Sequence, residues 1–289
     1  MIVIDDLSSG NLANLVWRRP GDDLDFIEGD ITEEKLRRRA LSGCDSVFHQ
    51  AALPSVPGSV ERPVETNAVN LDATLQLLVA ARDAGVKRFV FASSSAIYGD
   101  SEVSPKHEGL PPNPLSPYAL QKFAAEKYAQ LFHQLYGLES VSLRYFNVFG
   151  PRQSFDSPYS GVIARFCTAM LQGRSPTIFG DGRQSRDFTY IDNVVAANLL
   201  ALDAPAANAA GKVFNVAGGK SITLLDLVAE VNRLTGQKLA PGFGPARPAD
   251  VRSSLADISA ATRDLGYQVS VTWQEGLQKT LDFYRACQE

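Results

Sequence analysis

The sequence predicts an α/β protein built on a doubly wound parallel sheet, with a smaller mixed C-terminal lobe. Three observations predict it. In the first half, short runs rich in Val, Ile and Phe alternate with longer stretches of helical period, the rhythm of crossover connections. Those runs are apolar on both faces, as in strands covered on both sides. The rhythm then changes after Gly150-Pro151, where Gly, Ser, Pro and Arg crowd residues 151–190.

The elements follow in order. Strands are expected at 2–4, 24–31, 45–52, 87–94 and 141–148, and helices near 33–41, 61–84 and 116–136. Leu71, Leu75, Leu78 and Val79 recur at helical spacing, as do Leu120, Phe123, Ala124 and Tyr128. One helix is expected near 161–173, with helix and strand again over 192–217. Thr223 reads as the cap of a helix over 223–236, and APGFGPARPAD (240–250) as a long loop. Helices near 257–265 and 273–287 close the chain. Two lobes are expected. The first takes residues 1–150 with about 187–220; the second takes about 151–186 with 221–289.

The chain opens MIVIDDLSSG, a short apolar run ending in Asp5 and Asp6. An acid at the tip of the second strand of a Rossmann unit binds a ribose, some 20 residues after a glycine-rich phosphate loop. Here only four residues precede it, so the first strand, its glycine loop and its helix are missing from this stretch. The spacing of the unit predicts roughly 25–30 further residues upstream, with a strand and a GxxGxxG loop. The absent strand belongs in the middle of the 3-2-1-4-5-6 sheet, so the edges of two strands are expected to be uncovered.

Bulk composition excludes several classes. The 289 residues are 45% hydrophobic and 21% charged, ordinary for a soluble globular chain. A formal charge of −4 argues against a nucleic-acid footprint. No apolar run of 18 residues is present and acids interrupt the start, so neither a membrane span nor a signal peptide is read. Cys44, Cys167 and Cys287 are scattered, and His49, His107 and His133 lack ligand spacing; reduced thiols, no metal and a cytoplasmic setting are expected.

Four stretches carry chemistry. In SPYALQKFAAEKYA, Tyr118 and Lys122 stand four apart and share a helix face. A phenol with pKa near 10 is a poor base, and a neighbouring ammonium lowers that value. In FVFASSSAIYGD a buried strand ends at Ser93, Ser94 and Ser95, where parallel sheets place ligands. LRYFNVFGPRQ sets Asn147 at another strand end, and Arg183, Arg186, Arg247 and Arg252 suit a diphosphate. Each has a blander reading as surface charge or polar turn.

Together, in this order and spacing, the pieces resemble the extended short-chain dehydrogenase/reductases, in their NAD-dependent nucleotide-sugar epimerase and dehydratase branch. The resemblance spans essentially the whole chain. It implies catalytic roles for Ser94, Tyr118 and Lys122, and NAD contacts at Asp5, Asp30, Ile31, Gln50, Ala51, Ala52, Asn67, Tyr118, Lys122 and Tyr145. It implies substrate contacts at Ser94, Ser95, Asn147, Val162, Arg186, Arg247, Asp250 and Ser254. The chemistry implied is proton removal from the sugar 4-hydroxyl by Tyr118, aided by Ser94, with NAD as hydride carrier and a 4-keto sugar that turns over in the pocket. Dehydratases of the branch carry an Asp-Glu pair where this chain has Ser95 and Ala96, which favours 4-epimerisation. Plain-hexose members tend to have a bulky Tyr where Ser254 stands, which favours UDP-GlcNAc/UDP-GalNAc. A UDP-sugar substrate and a homodimer through the helix of Tyr118 are implied. UDP-glucuronate decarboxylase, a 4,6-dehydratase and a non-catalytic nucleotide-sugar binder stand as alternatives.

Overall fold

The computed structural model describes residues 1–153, 161–246 and 251–287. The first half runs β1 (Ile2–Asp5), β2 (Asp25–Glu28), α1 (Glu34–Leu41), β3 (Ser46–His49), α2 (Val56–Glu61), α3 (Pro63–Asn67), a π-helical turn (Ala68–Asp72), α4 (Ala73–Asp83), β4 (Arg88–Ser94), α5 (Pro117–Tyr136) and β5 (Glu139–Tyr145). The second half adds β6 (Val148–Phe149), α6 (Val162–Leu171), β7 (Thr177–Phe179), β8 (Ser185–Asp187), β9 (Thr189–Tyr190), α7 (Ile191–Asp203), α8 (Ala206–Ala209), β10 (Lys212–Val216), β11 (Ser221–Thr223), α9 (Leu224–Thr235), β12 (Gly242–Gly244), α10 (Ser259–Leu265) and α11 (Trp273–Ala286).

The strands of the first half pair in parallel, as the crossovers require. Ile2 stands opposite Asp25, and Ser46 opposite Arg88. One sheet has the order β10-β5-β4-β3, while β1 and β2 form a sheet of their own. Neither β1 nor β3 has a strand on its other side among the described residues. Burial on both faces, expected for every strand, therefore holds for β4 and β5 but not for β1, whose Ile2, Val3 and Ile4 stay half-buried, or for Phe48 of β3, which is exposed.

Local chemistry sets the helix ends. Ser116 Oγ accepts the Ala119 N–H, Pro117 fills the first turn of α5, and Gly137 at φ 73° stops it. Thr223 caps α9 in a capping box with Asp226, and Thr272 caps α11 with Glu275. Two stretches differ from expectation. The single helix expected over 61–84 starts earlier, at the Ser55 cap, and is broken where Pro63 opens a new segment. The expected loop at 240–250 contains β12, paired in parallel with β7; Gly244 lets the chains approach, since a Cβ there would sit 3.1 Å from the Phe179 ring.

Packing separates two compact units. Unit 1 takes Met1–Ser93, Ser116–Ser142 and Pro205–Lys212; unit 2 takes Ser94–Leu115, Leu143–Ala204 and Val213–Glu289. Unit 1 has a core of Leu77, Leu78, Phe89, Phe91, Ala125, Ala129 and Phe132. Unit 2 has one of Ile163, Phe166, Met170, Ile178, Leu227, Val231, Leu277 and Leu281. On α5, Leu120 and Tyr128 are exposed, while Gln121, Lys122 and Glu126 are buried.

His49 is the buried titratable group of unit 1's sheet. Its Nε2 lies 2.8 Å from Thr74 Oγ1, and Thr74 Oγ1 donates to the Asn70 carbonyl at 2.9 Å. Thr74 has one proton and uses it, so Nε2 donates. Burial, then the Lys122 charge, pulls its pKa down to about 3. The unfolded chain takes a proton below pH 6.5 that the folded chain refuses, so stability present above that pH is lost as pH falls toward 3. In His49→Gln, the stability lost between pH 7.5 and 4.5 should be smaller than in the native chain by about 2–3 kcal/mol, read from denaturant unfolding at the two pH values.

Candidate active site

Unit 1 carries one set of candidate residues on α5. Tyr118 lies in its first turn, 9% exposed, and its N–H donates to Ser59 Oγ at 3.1 Å. Ser59, fully buried in α2, donates in turn to the Val56 carbonyl. One turn further, Lys122 is 3% exposed; its Nζ donates to the Ala92 carbonyl at 2.9 Å and sits 4.9 Å from the Phe91 ring centroid. No carboxylate forms an ion pair with it among the described residues, and burial pulls its pKa down to about 8. One more turn on, Glu126 accepts from Ser93 Oγ at 2.7 Å. Two successive turns of α5 thus grip Ala92 and Ser93, and Ser94 is the next residue of that strand.

A second set of contacts ties the loop after β3 to α5. Asn70, 1% exposed, accepts the Leu53 N–H at 2.8 Å, donates to the Leu53 carbonyl at 3.1 Å and donates to Gln121 Oε1 at 2.9 Å. Gln121 Nε2 donates to Thr66 Oγ1. The π-helical turn carries Asn70 inward; such turns concentrate at functional sites. Asn67, the residue singled out from sequence, is half-buried and donates to Asp72 Oδ1. Gln50 is exposed, and Ala51 and Ala52 half-buried, on the loop that Asn70 holds.

Asp5 is exposed at the tip of β1. Its Oδ1 accepts the Leu7 N–H at 2.8 Å, and Oδ2 makes no hydrogen bond among the described residues. Asp30 follows β2 and accepts the Thr32 N–H; Ile31 beside it is buried. An open carboxylate at one strand end suits a ribose diol, and a buried ammonium suits a second ribose. The donor set of unit 1 therefore fits the ribose ends of a dinucleotide.

Unit 2 carries the other candidates. Ser94 Oγ accepts the Ala96 N–H at 3.2 Å and caps a short 3-10 turn over Ser95–Tyr98. Tyr145 Oη accepts from Asn198 Nδ2 at 2.8 Å. Asn147 holds a positive φ of 30°. Its Nδ2 donates to the Asp187 carbonyl and to Ser254 Oγ, each at 3.1 Å. Both amide protons are used, so Oδ1, an acceptor, is the atom left over. Val162 opens α6 half-buried, and Arg186 Nη1 donates to the Ser185 carbonyl. Arg247 and Asp250 lie outside the described residues.

Sorted by unit, the sequence candidates separate cleanly. Every expected NAD contact except Tyr145 falls in unit 1, and every described substrate contact in unit 2. Sequence reasoning missed Ser59, Asn70, Gln121, Glu126 and Asp187. The available signal was a polar residue at a buried helical phase: Asn70 and Thr74 sit in a run of otherwise apolar inward positions. Among the described residues no group of three or more His, Cys, Asp or Glu is placed to hold a metal, and no helix is long and apolar enough to cross a membrane.

Residues 2–217 match the model of the NAD dependent epimerase/dehydratase family. The chain is 38% identical over 287 residues to the UDP-glucose 4-epimerase of Mycolicibacterium smegmatis, covering 99% of this chain and 90% of that one. Its structure is similar to the UDP-N-acetylglucosamine 4-epimerase from Methanobrevibacter ruminantium M1 in complex with UDP-N-acetylmuramic acid, with TM-score 0.92 and 40% identity over 99% of this chain and 90% of that one. It is similar also to the UDP-glucose 4-epimerase from Thermotoga maritima with UDP-glucose, with TM-score 0.93 and 38% identity over 100% and 91%. Further relatives include a dehydratase and a decarboxylase, at 32% and 31% identity. The fold is accordingly a Rossmann-like α/β fold.

The Asn70 contacts give a direct test. Asn70→Ala removes three hydrogen bonds, those of the Leu53 N–H and carbonyl and of Gln121 Oε1. It should lower stability by about 2–3 kcal/mol and speed hydrogen exchange at the Leu53 amide ahead of global unfolding.

Proposed function

The chain belongs to the NAD-dependent epimerase/dehydratase family, with NAD as its cofactor, and from that premise we propose that it inverts C4 of a UDP-sugar, interconverting UDP-GlcNAc and UDP-GalNAc. The observation that carries this reading is the inward face of α5. It presents Tyr118 one turn from a buried ammonium and holds the end of the strand that runs into Ser94. Asp5, Asp30, Ile31, the 50–52 loop, Asn67, Tyr118, Lys122 and Tyr145 are the residues that would hold NAD.

NAD, when bound, supplies the hydride acceptor and donor for C4 of the sugar. Tyr118, as phenolate, takes the proton of the 4-hydroxyl. The Lys122 ammonium favours that phenolate, and burial makes the charge count for more than it would in water. Ser94 donates a hydrogen bond to the same sugar oxygen. After the 4-keto sugar has turned over, Tyr118 returns the proton on the other face.

Two features narrow the substrate. Ser95 and Ala96 follow Ser94 with no carboxyl group, so proton shuttling at C5 and C6 lacks its agents, which favours epimerisation over 4,6-dehydration. Ser254 is small and already hydrogen-bonded to Asn147, which leaves space beside it for a 2-acetamido group. The leftover Asn147 Oδ1 suits a sugar hydroxyl or amide N–H and disfavours a diphosphate oxygen. Arg186, Arg247 and Asp250 are assigned to the nucleotide diphosphate and ribose. The exposed stripe Leu120, Tyr128, Leu131 and Leu135 of α5 supports a homodimer through this helix.

With NAD⁺ present, the protein should convert UDP-GlcNAc to UDP-GalNAc, separated by ion-exchange chromatography. Tyr118→Phe should lower kcat by about 10²–10⁴. Turnover of UDP-glucose alone would overturn the acetylated-sugar assignment, and release of a 4-keto-6-deoxy product would move the chain to the dehydratases. The rate should fall as pH rises through about 8, where Lys122 loses its charge; Lys122→Arg, slower throughout, should lack that limb. By light scattering the chain should run as a dimer, and Leu131→Glu as a monomer.

A further inference from the structure

Asp187 is fully buried at the end of β8, and no Lys or Arg forms an ion pair with it among the described residues. Peptide groups hold its carboxylate instead. Oδ1 accepts the Gly218 N–H at 2.9 Å and Oδ2 accepts the Ala256 N–H at 3.1 Å, and the backbone of Gly219 and Lys220 beside it also favours its charged form. The wrap needs its glycines. A Cβ on Gly218 would lie 2.6 Å from the Phe188 carbonyl oxygen, and Gly219 adopts φ +69°. The backbone of the same residue reaches the candidate sugar contacts directly. Its N–H donates to Ser254 Oγ at 3.3 Å, and its carbonyl accepts from Asn147 Nδ2 at 3.1 Å. Ser221, just past the wrapped turn, donates to the Ser254 carbonyl at 3.0 Å.

Three segments therefore converge on one carboxylate: β8, the 218–221 turn and the 254–256 segment. Asn147, at a positive φ unusual for a residue with a side chain, is held in that conformation by two of them. We propose that the Asp187 carboxylate is the positioning group of the sugar end of the substrate site: it draws the 218–220 turn and the 254–256 segment onto β8 and so sets Ser254 and Asn147. It touches no substrate. The proposal rests on the reading of Asn147 and Ser254 as sugar contacts given above.

Asp187→Asn is nearly the same size, but it turns an NH₂ group toward peptide N–H groups where an acceptor stood. The expected result is a split. KM for UDP-GlcNAc, and its Kd by calorimetry, should rise about tenfold or more, while kcat at saturation changes less than threefold and NAD affinity stays unchanged. Gly219→Ala keeps the carboxylate and strains the wrap. Its Cβ would meet nothing closer than Ile258 Cδ1 at 3.4 Å, so it serves if Asp187→Asn does not fold, with an expected rise in KM of about threefold. Ser254→Ala combined with Asp187→Asn should raise KM by less than the product of the two single effects, because both act on one contact. A folded Asp187→Asn with unchanged KM overturns the proposal. Equal loss of NAD and UDP-sugar affinity also does, since that is general damage. Failure of the native chain to bind UDP-GlcNAc overturns both this proposal and the site reading beneath it; native binding with unaffected variants overturns this one alone.

Discussion

The site depends on a helix that buries polar side chains among its apolar ones. In an ordinary amphipathic helix the apolar stripe faces the core. In α5 the buried side carries Gln121, Lys122 and Glu126 beside Tyr118, Ala119, Ala125, Ala129 and Phe132, while Leu120, Leu131 and Leu135 face outward. A buried ammonium is tolerated only where an acceptor meets it, and the Ala92 carbonyl does so. That one bond fixes the depth and rotation of α5 against β4. Tyr118 is set by it, being one turn away, and so is the path of the strand toward Ser94. Small Ala125 and Ala129 let helix and strand come close enough for the bond to form.

The candidate residues named from the sequence divide between the two compact units. The residues expected to hold NAD are on unit 1 and those expected to hold the sugar nucleotide on unit 2, with Tyr145 the exception. Tyr145 lies at the end of β5, a strand that begins in unit 1 and ends in unit 2, as do β4 and β10. Strand ends are where parallel folds present ligand contacts. Ser94 is the last residue of β4 in the same sense.

What could be read from the sequence follows from which signals are local. Tyr118 and Lys122 are four apart in a helical run, so their common face is a matter of geometry alone. Thr223 announces α9 because a cap acts within three residues. The spacing of Leu120, Phe123 and Tyr128 marks a helix but does not say which face is buried, and nothing local says that a lysine will be the buried residue. Asn70 and Asp187 were invisible for a related reason: their partners are Leu53, Gln121, Gly218 and Ala256, between 17 and 69 residues away. The β12 pairing was missed because a Gly-Phe-Gly stretch carries no period.

Lys122 and Asp187 show the same solution to one problem. Each is a buried charge answered by neutral peptide groups: a carbonyl for the ammonium, N–H groups for the carboxylate. A counter-ion would have stabilised either charge more strongly and held its pKa away from neutrality. Peptide dipoles orient the group without cancelling its charge, and desolvation moves both values toward neutral pH, Lys122 down to about 8 and Asp187 up to about 6. For Lys122 this has a use, because an ammonium tied into an ion pair would polarise a neighbouring phenol less. For Asp187 the benefit is geometric. A carboxylate can gather several N–H groups from different segments into one point, whereas an ion pair with a flexible lysine or arginine would fix one direction only. The fold accepts two unneutralised charges, one beside the proposed proton transfer and one behind the proposed sugar contacts.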